Sequence, residues 1–352
     1  MTAQATATAV QIRIAGLPRL RWMPATIGVV AVLAACLLGV LVGPAHISVG
    51  VVLQALAGST NVDPGQSSIL WQLRFPRVVL GALVGAMLAT AGAGYQGVFR
   101  NPLADPYLLG AAAGANLGAT LAIAFGSNAP LIGVNVVPLA AFIGAGAAVG
   151  AAYALGRTVT GVRSTTALIL AGVAVATFFN AVQTYVQQTQ TDTIRQVYSW
   201  ILGRLVTAGW DGVLLVLPYV VVSLGVIALH RRLLDALSVG DEEVTSLGIS
   251  ARRVRLIVVV AATLGTAAAV AIAGTIAFVG IIVPHTVRLL FGRSYRVVIP
   301  LSVLFGAAFL VLADTAARTV VSPAELSIGV VTAFIGAPFF IVVMRSTRAA
   351  EL

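Results

Sequence analysis

Apolar runs of 17 or more residues recur along the chain, separated by short polar breaks rich in glycine, proline and arginine. A helix needs about 20 such residues to cross the hydrocarbon core, where no backbone polar group can be left unpaired. The pattern predicts helices over about 25–42, 78–95, 108–125, 136–155 and 213–229, and one running from Ser164-Thr165-Thr166 to about 185. The run 256–283 is too long for one crossing and short for two. Gly274-Thr275 is its only plausible turn, so it reads as two helices, the second continuing through Pro284 and His285 to about 290. Helices over 299–321 and 328–344 complete an all-α polytopic membrane protein of about ten crossings. Gly81, Gly85 and Gly92, then Gly110, Gly114 and Gly118, stand at the spacing of closely packed membrane helices. Residues 44–73 read as a mixed segment with a turn at Asp63-Pro64-Gly65 and an interfacial Trp71.

Residues 233–255 are the only extended polar stretch in the second half. Asp235, Asp241, Glu242 and Glu243 lie in it, flanked by Arg231, Arg232, Arg252, Arg253 and Arg255. Leu233, Leu234 and Leu237, then Val244 and Leu247, fall three and four apart, which predicts short amphipathic helices broken at Gly240 and Gly248. Such a loop offers a partner a surface to hold; the plainer reading is a solvated loop with basic flanks.

Composition sharpens the class. The chain has 352 residues, 59% hydrophobic and 9% charged, where soluble domains carry about 25% charged residues. The net charge of +10 would suggest nucleic acid for a soluble protein, but basic loops explain it here, and no nucleic-acid partner is expected. All 21 basic residues are arginine. Without lysine the chain can form neither a P-loop nor a Schiff base. Cys36 is alone, and the three histidines show no ligand spacing, so neither a disulfide nor a metal site is expected.

Ten crossings divide the chain into a cytoplasmic tail 1–24, a transmembrane domain 25–344 and a cytoplasmic tail 345–352. Sixteen arginines then face the cytoplasm, and five, Arg74, Arg77, Arg195, Arg204 and Arg318, face outward. The outward ones are not required by the orientation rule. Asp314 and Arg318 are four apart and can pair on one helix face. An ionisable residue in a membrane helix is otherwise a functional candidate, and Asp314 alone would support an ion-coupled transporter. Ser164, Thr165 and Thr166 read first as helix-capping hydroxyls and second as a cytoplasmic gate. His285 beside Pro284 reads as a structural residue at a kink.

Several stretches together resemble one family: Arg74-Phe75-Pro76-Arg77, Gln96-Gly97-Val98-Phe99-Arg100-Asn101-Pro102-Leu103-Ala104-Asp105-Pro106, Trp200 to Gly203, Gly240 to Gly248, Gly274 to Arg288, Ala313-Asp314 to Arg318, and Glu325-Leu326-Ser327-Ile328-Gly329. In this order they resemble the FecCD family of ABC-transporter permeases, which import iron-siderophores, haem and vitamin B12. Ser327 departs from the proline the family often has there. The resemblance implies a type II importer permease fold in the bacterial plasma membrane, paired with a second permease subunit in a homodimer or related heterodimer. It implies ATPase subunits that bind ATP and Mg, an extracytoplasmic binding protein, no cofactor on this chain and no catalysis by it. The implied cargo is a metal chelate, a ferric siderophore first, with haem or vitamin B12 as alternatives. The loop would couple to the ATPase through Gly240, Asp241, Glu242, Leu247 as apolar plug and Gly248 as helix stop. Arg74, Arg77 and Arg318 would receive acidic residues of the binding protein.

Overall fold

The computed structural model describes residues 22–45, 47–59, 62–126, 136–158, 165–205, 209–246 and 248–349, and every regular element among them is helical. Helix α1 (Trp22–Leu41) is followed by the short α2 (Val49–Leu56) and α3 (Pro64–Ser68). A π-helical stretch (Ile69–Arg74) then runs directly into α4 (Phe75–Phe99). Next come α5 (Ala111–Phe125), α6 (Val136–Thr158) and α7 (Thr165–Thr189). A 3₁₀ turn (Thr191–Thr193) leads to α8 (Ile194–Ile201), α9 (Asp211–Leu237) and α10 (Asp241–Ser246). The chain closes with α11 (Ala251–Ala273), α12 (Val279–Phe291), α13 (Tyr295–Thr319) and α14 (Ile328–Ala349). Among the described residues seven helical spans are long and apolar enough to cross a membrane, and α5, α12 and most of α14 are shorter apolar helices. These are the ten helices that hydropathy predicts, including the break at Gly274.

Two local expectations are corrected. Asp63-Pro64-Gly65 starts a helix: the Asp63 carboxylate accepts from the Gln66 N–H at 3.0 Å, and Pro64 occupies a first-turn position that needs no donor. Among the described residues of 233–255 there is one short helix, because Leu233, Leu234 and Leu237 belong to the end of α9. Leu234 and Leu237 are fully buried, and that burial carries α9 beyond the expected membrane boundary.

Helices α4, α11 and α13 are buried over most of their apolar length, whereas only 22–28% of the apolar stretch of α1, α6, α7 and α9 is buried. The inner helices approach through glycine. A Cβ at Gly85 would collide with the Gly306 carbonyl of α13, and one at Gly92 with the Gly280 carbonyl of α12. Gly114 of α5 and Gly144 of α6 exclude a Cβ on each other. Lipid offers little hydrophobic drive between helices, so this close van der Waals contact is what holds them. Helix α1 packs outside α4 and α13 through Ala35, Val40, Val78, Ala308 and Val311.

Candidate functional site

At one end of the bundle the carboxyl ends of α4 and α9 meet the amino ends of α11 and α13. Gly240 is buried and Asp241 opens α10. Val244, only 1% exposed, turns the helix's apolar side into the protein. Gly248 ends the motif at φ +76°, a left-handed conformation that glycine adopts without a steric penalty. Its N–H donates to the Thr245 carbonyl at 2.9 Å. Ser250 then caps α11, accepting from the Arg253 N–H at 3.4 Å.

Asp241 ties this turn to the core. Its two oxygens accept from Arg255 Nη1 and Nη2 at 2.7 and 2.5 Å, and Arg100 Nη2 lies 3.2 Å away. Arg255 also donates from Nε to the Val98 carbonyl at 3.3 Å, so one guanidinium joins α4, α10 and α11. The Arg255 hydrogen bond holds the Asp241 carboxyl below its ordinary range, partial burial opposes it, and the charges of Arg255 and Arg100 add to the lowering. Asp235 makes a second tie, accepting from Ser294 Oγ at 2.8 Å and from the Tyr295 N–H at 2.6 Å at the start of α13. Glu242 is the second residue of α10. Leu247 and Ser164 lie outside the described residues; Thr165 starts α7, and Thr166 is exposed on its first turn.

The opposite end carries Arg74, Arg77 and Arg318, and the structure shows the partners of each. Arg77 donates to Asp314 from Nε and Nη2, and to Glu325 from Nη1 and Nη2, at 2.9–3.1 Å. Asp314 also pairs with Arg318 at 3.0 Å, the spacing of four made on one helix face. Arg318 is 4% exposed and donates to the Gly39 carbonyl at 3.0 Å. Arg74 is 5% exposed and donates to the carbonyls of Val40, Leu41 and Ala45 where α1 ends. In this conformation all three arginines are committed to internal partners, and one partner of Arg77, Glu325, is a partly exposed carboxylate.

Sequence reasoning passed over a third cluster. Helix α11 stops at Gly274, and the chain crosses residues 274–278 before α12. Thr275 Oγ1 donates to Asn116 Oδ1 at 2.8 Å, and Tyr107 Oη donates to the Ile276 carbonyl at 3.0 Å. Gln96 Nε2 donates to the carbonyls of Ala104 and Gly280 at 3.1 and 3.0 Å, while its Oε1 accepts from Arg288 at 2.5 Å. The irregular 100–110 backbone is thereby joined to the break in α11–α12, which satisfies polar groups that apolar surroundings would penalise. A cavity of about 590 Å³ borders the break at Thr275 and Ala277 and is also lined by Leu202, Gly329 and Phe334. Gln96 and Asn116 were legible as polar residues in apolar helices.

A bundle of this kind, with an interrupted core helix and a short amphipathic helix clamped at its basic end, is a polytopic membrane permease. The sequence model of the FecCD transport family matches residues 31–346, and the chain belongs to that family. It is 43% identical over 284 residues to the cobalamin import system permease protein BtuC of Halobacterium salinarum, covering 81% of this chain and 75% of that one. It is 37% identical over 339 residues to the iron(3+)-hydroxamate import system permease protein FhuB of Bacillus subtilis, covering 94% and 86%. A solved structure described as an inward-facing conformation of a metal-chelate type ABC transporter superposes with a TM-score of 0.81. It shares 27% identity and covers 93% of this chain and 100% of the other.

Proposed function

We propose that this chain is the permease subunit of an ATP-driven importer in the bacterial plasma membrane, moving a metal chelate, a ferric siderophore first, delivered by an extracytoplasmic binding protein. The observation that carries the reading is the Asp241 tie. A short helix at the basic end, joined by one guanidinium to two core helices, can pass a partner's rigid-body motion into the bundle. The partner is an ATPase that binds ATP and Mg, since a chain without lysine has no P-loop of its own. The positive-inside rule puts α10 and both termini in the cytoplasm. A second permease subunit, identical or related, completes the pathway, and no cofactor is assigned to this chain.

At the outer end Arg74, Arg77 and Arg318 together are the docking candidates. Each is held by internal partners, with Arg77 spending all three guanidinium nitrogens on Asp314 and Glu325, so docking would have to exchange those contacts. An ion-coupled transporter has less support. Asp314 is 2% exposed, and its carboxylate is occupied by Arg77 and Arg318, leaving no open face for a coupling ion.

The test is reconstitution of the chain with its ATPase and binding protein in liposomes, offered ferric hydroxamate, haem and cobalamin separately. Uptake of one chelate that requires both ATP and the binding protein is expected. Uptake driven by an ion gradient without ATP would overturn the reading.

A further inference from the structure

Phe278, the last residue before α12, stands at φ +69° and ψ −23°. Among the described residues only Arg100 shares a positive φ without being glycine. A bulky side chain in the left-handed region is a steric outlier, and it persists only where the surroundings leave it no other choice. Here they act from several sides. Thr275 is bonded to Asn116, and the Tyr107 hydroxyl grips Ile276 twice, donating to its carbonyl at 3.0 Å and accepting from its N–H at 3.3 Å. The Phe278 carbonyl accepts from the N–H groups of Ile281 and Ile282 at 3.0 and 2.9 Å, which opens α12. With the backbone held before and after it, the Phe278 ring lies on Gly336 of α14, where a Cβ would collide with it. Gly336 is buried although Phe334, Ile335, Ala337 and Pro338 around it are exposed, because the ring covers it.

Helix α14 is fastened at its start and weak in its middle. The Ile328 and Gly329 N–H groups donate to the carbonyls of Gly203 and Leu202 at 3.3 and 3.1 Å. Pro338, two residues past Gly336, has no N–H to return to the Phe334 carbonyl, and such a gap is where helices bend. One turn beyond the glycine, Phe339 meets His285 of α12 edge-on, with ring centroids 6.0 Å apart. The apolar cavity of about 590 Å³ lies alongside, lined by Ala277 next to Phe278 and by Ala337 next to Gly336. The contact thus has a cavity at its flank and a bendable helix on one side. Once α14 swings off α12, no seat holds residue 278 left-handed, and its backbone relaxes to negative φ. Two arrangements of one packed element, one strained and one relaxed, make a switch. We propose that Phe278 and Gly336 form a latch, seated in this conformation and released when α14 shifts against α12 in the transport cycle. The release rests on the transport reading; the seating does not.

The test replaces Phe278 by para-fluorophenylalanine in the full-length permease and follows its fluorine NMR resonance. In detergent the permease should give one principal resonance, and Gly336→Ala, which fills the seat, should shift it. Gly336→Ala should also lower the thermal midpoint in the native background but not in a Phe278→Ala background, where no ring needs the seat. That second background keeps the test open if Gly336→Ala alone does not fold. An unmoved resonance, or an equal loss of midpoint in both backgrounds, would overturn the seating. In proteoliposomes with the ATPase and the binding protein, trapping with ATP and vanadate should move most of the signal to a second resonance. Phe278→Ala should reduce ATP-driven uptake about fivefold or more per folded permease. A resonance that stays in place through trapping, in proteoliposomes that take up ferric hydroxamate, haem or cobalamin, would overturn the release and leave the transport reading intact. Absence of ATP-dependent uptake of all three would instead overturn the transport reading, and the release with it.

Discussion

Arg255 grips Asp241 with both terminal nitrogens, at 2.7 and 2.5 Å, while its Nε turns back to the Val98 carbonyl. One side chain thus belongs to the last polar contact of α4 and the first of α10. Asp241→Asn should leave the permease inserted and its ATPase hydrolysing ATP, while ATP-driven uptake falls. Coupling between sites is typically worth about 1–3 kcal/mol, so the loss should be about 5–150-fold. Stability should change by no more than about 1 kcal/mol, since the pair is partly exposed. Uptake at wild-type rate and normal expression would mean that α10 is steered by something other than this clamp.

The same pair sets a pH window. Its folded-state pKa is depressed below the ordinary 3.8, first by the hydrogen bond from Arg255. A carboxyl of this kind contributes stability that is present above its unfolded pKa and lost as pH falls through the folded one. The clamp is therefore intact from neutral pH down to about 4 and opens only in stronger acid. The difference in thermal midpoint between wild type and Asp241→Asn should be constant from about pH 8 to 5 and vanish in acid. A difference that already shrinks between pH 8 and 6 would implicate another group.

The ten helices were legible because each apolar run is nearly as long as a bilayer is thick, and the Gly274 break because 28 residues fit neither one crossing nor two. Glycine packing was legible from spacing alone. The surroundings of Arg74, Arg77 and Arg318 were not, for a physical reason. Whether Arg74 faces a partner or its own chain depends on where the last carbonyls of α1 lie, 34 residues away, and no local pattern encodes that. The same holds for Leu234 and Leu237, which look like a separate amphipathic turn until tertiary burial extends α9 through them.

That distinction can be measured at the Asp314 network. Asp314→Asn or Arg318→Ala removes one member of a buried charge group and leaves the others uncompensated, a loss of about 3–5 kcal/mol. Glu325→Gln touches a partner whose side chain is 38% exposed and should cost about 0.2–1 kcal/mol. Thermal unfolding of the purified permease should rank the variants in that order, with Arg74→Glu among the damaging ones. If Arg74→Glu and Arg318→Glu keep wild-type midpoints yet lose binding-protein docking, both are docking residues after all. Arg77→Glu would set a third acid beside Asp314 and Glu325 and belongs with the damaging variants, so docking is read from wild-type association, which should slow as salt rises.

The final prediction separates glycines that look alike in sequence. Gly92 and Gly150 both lie inside long apolar helices, but a Cβ at Gly92 would meet the Gly280 carbonyl, while one at Gly150 meets nothing within 4 Å. A backbone carbonyl cannot rotate away as a side-chain end can, so Gly92→Ala forces α4 and α12 apart. The cost of such overpacking is typically about 1–3 kcal/mol, and the shift would also strain the Gln96 bonds to Ala104 and Gly280 one turn further along α4. Gly150→Ala should be neutral or slightly stabilising, since alanine is the better helix former by about 1 kcal/mol. Folded yield and thermal midpoint of the two variants decide it. Equal midpoints would mean that α12 can move away from α4 at little cost. The break at 274–278 would then be a compliant joint, where the packing describes a fixed one.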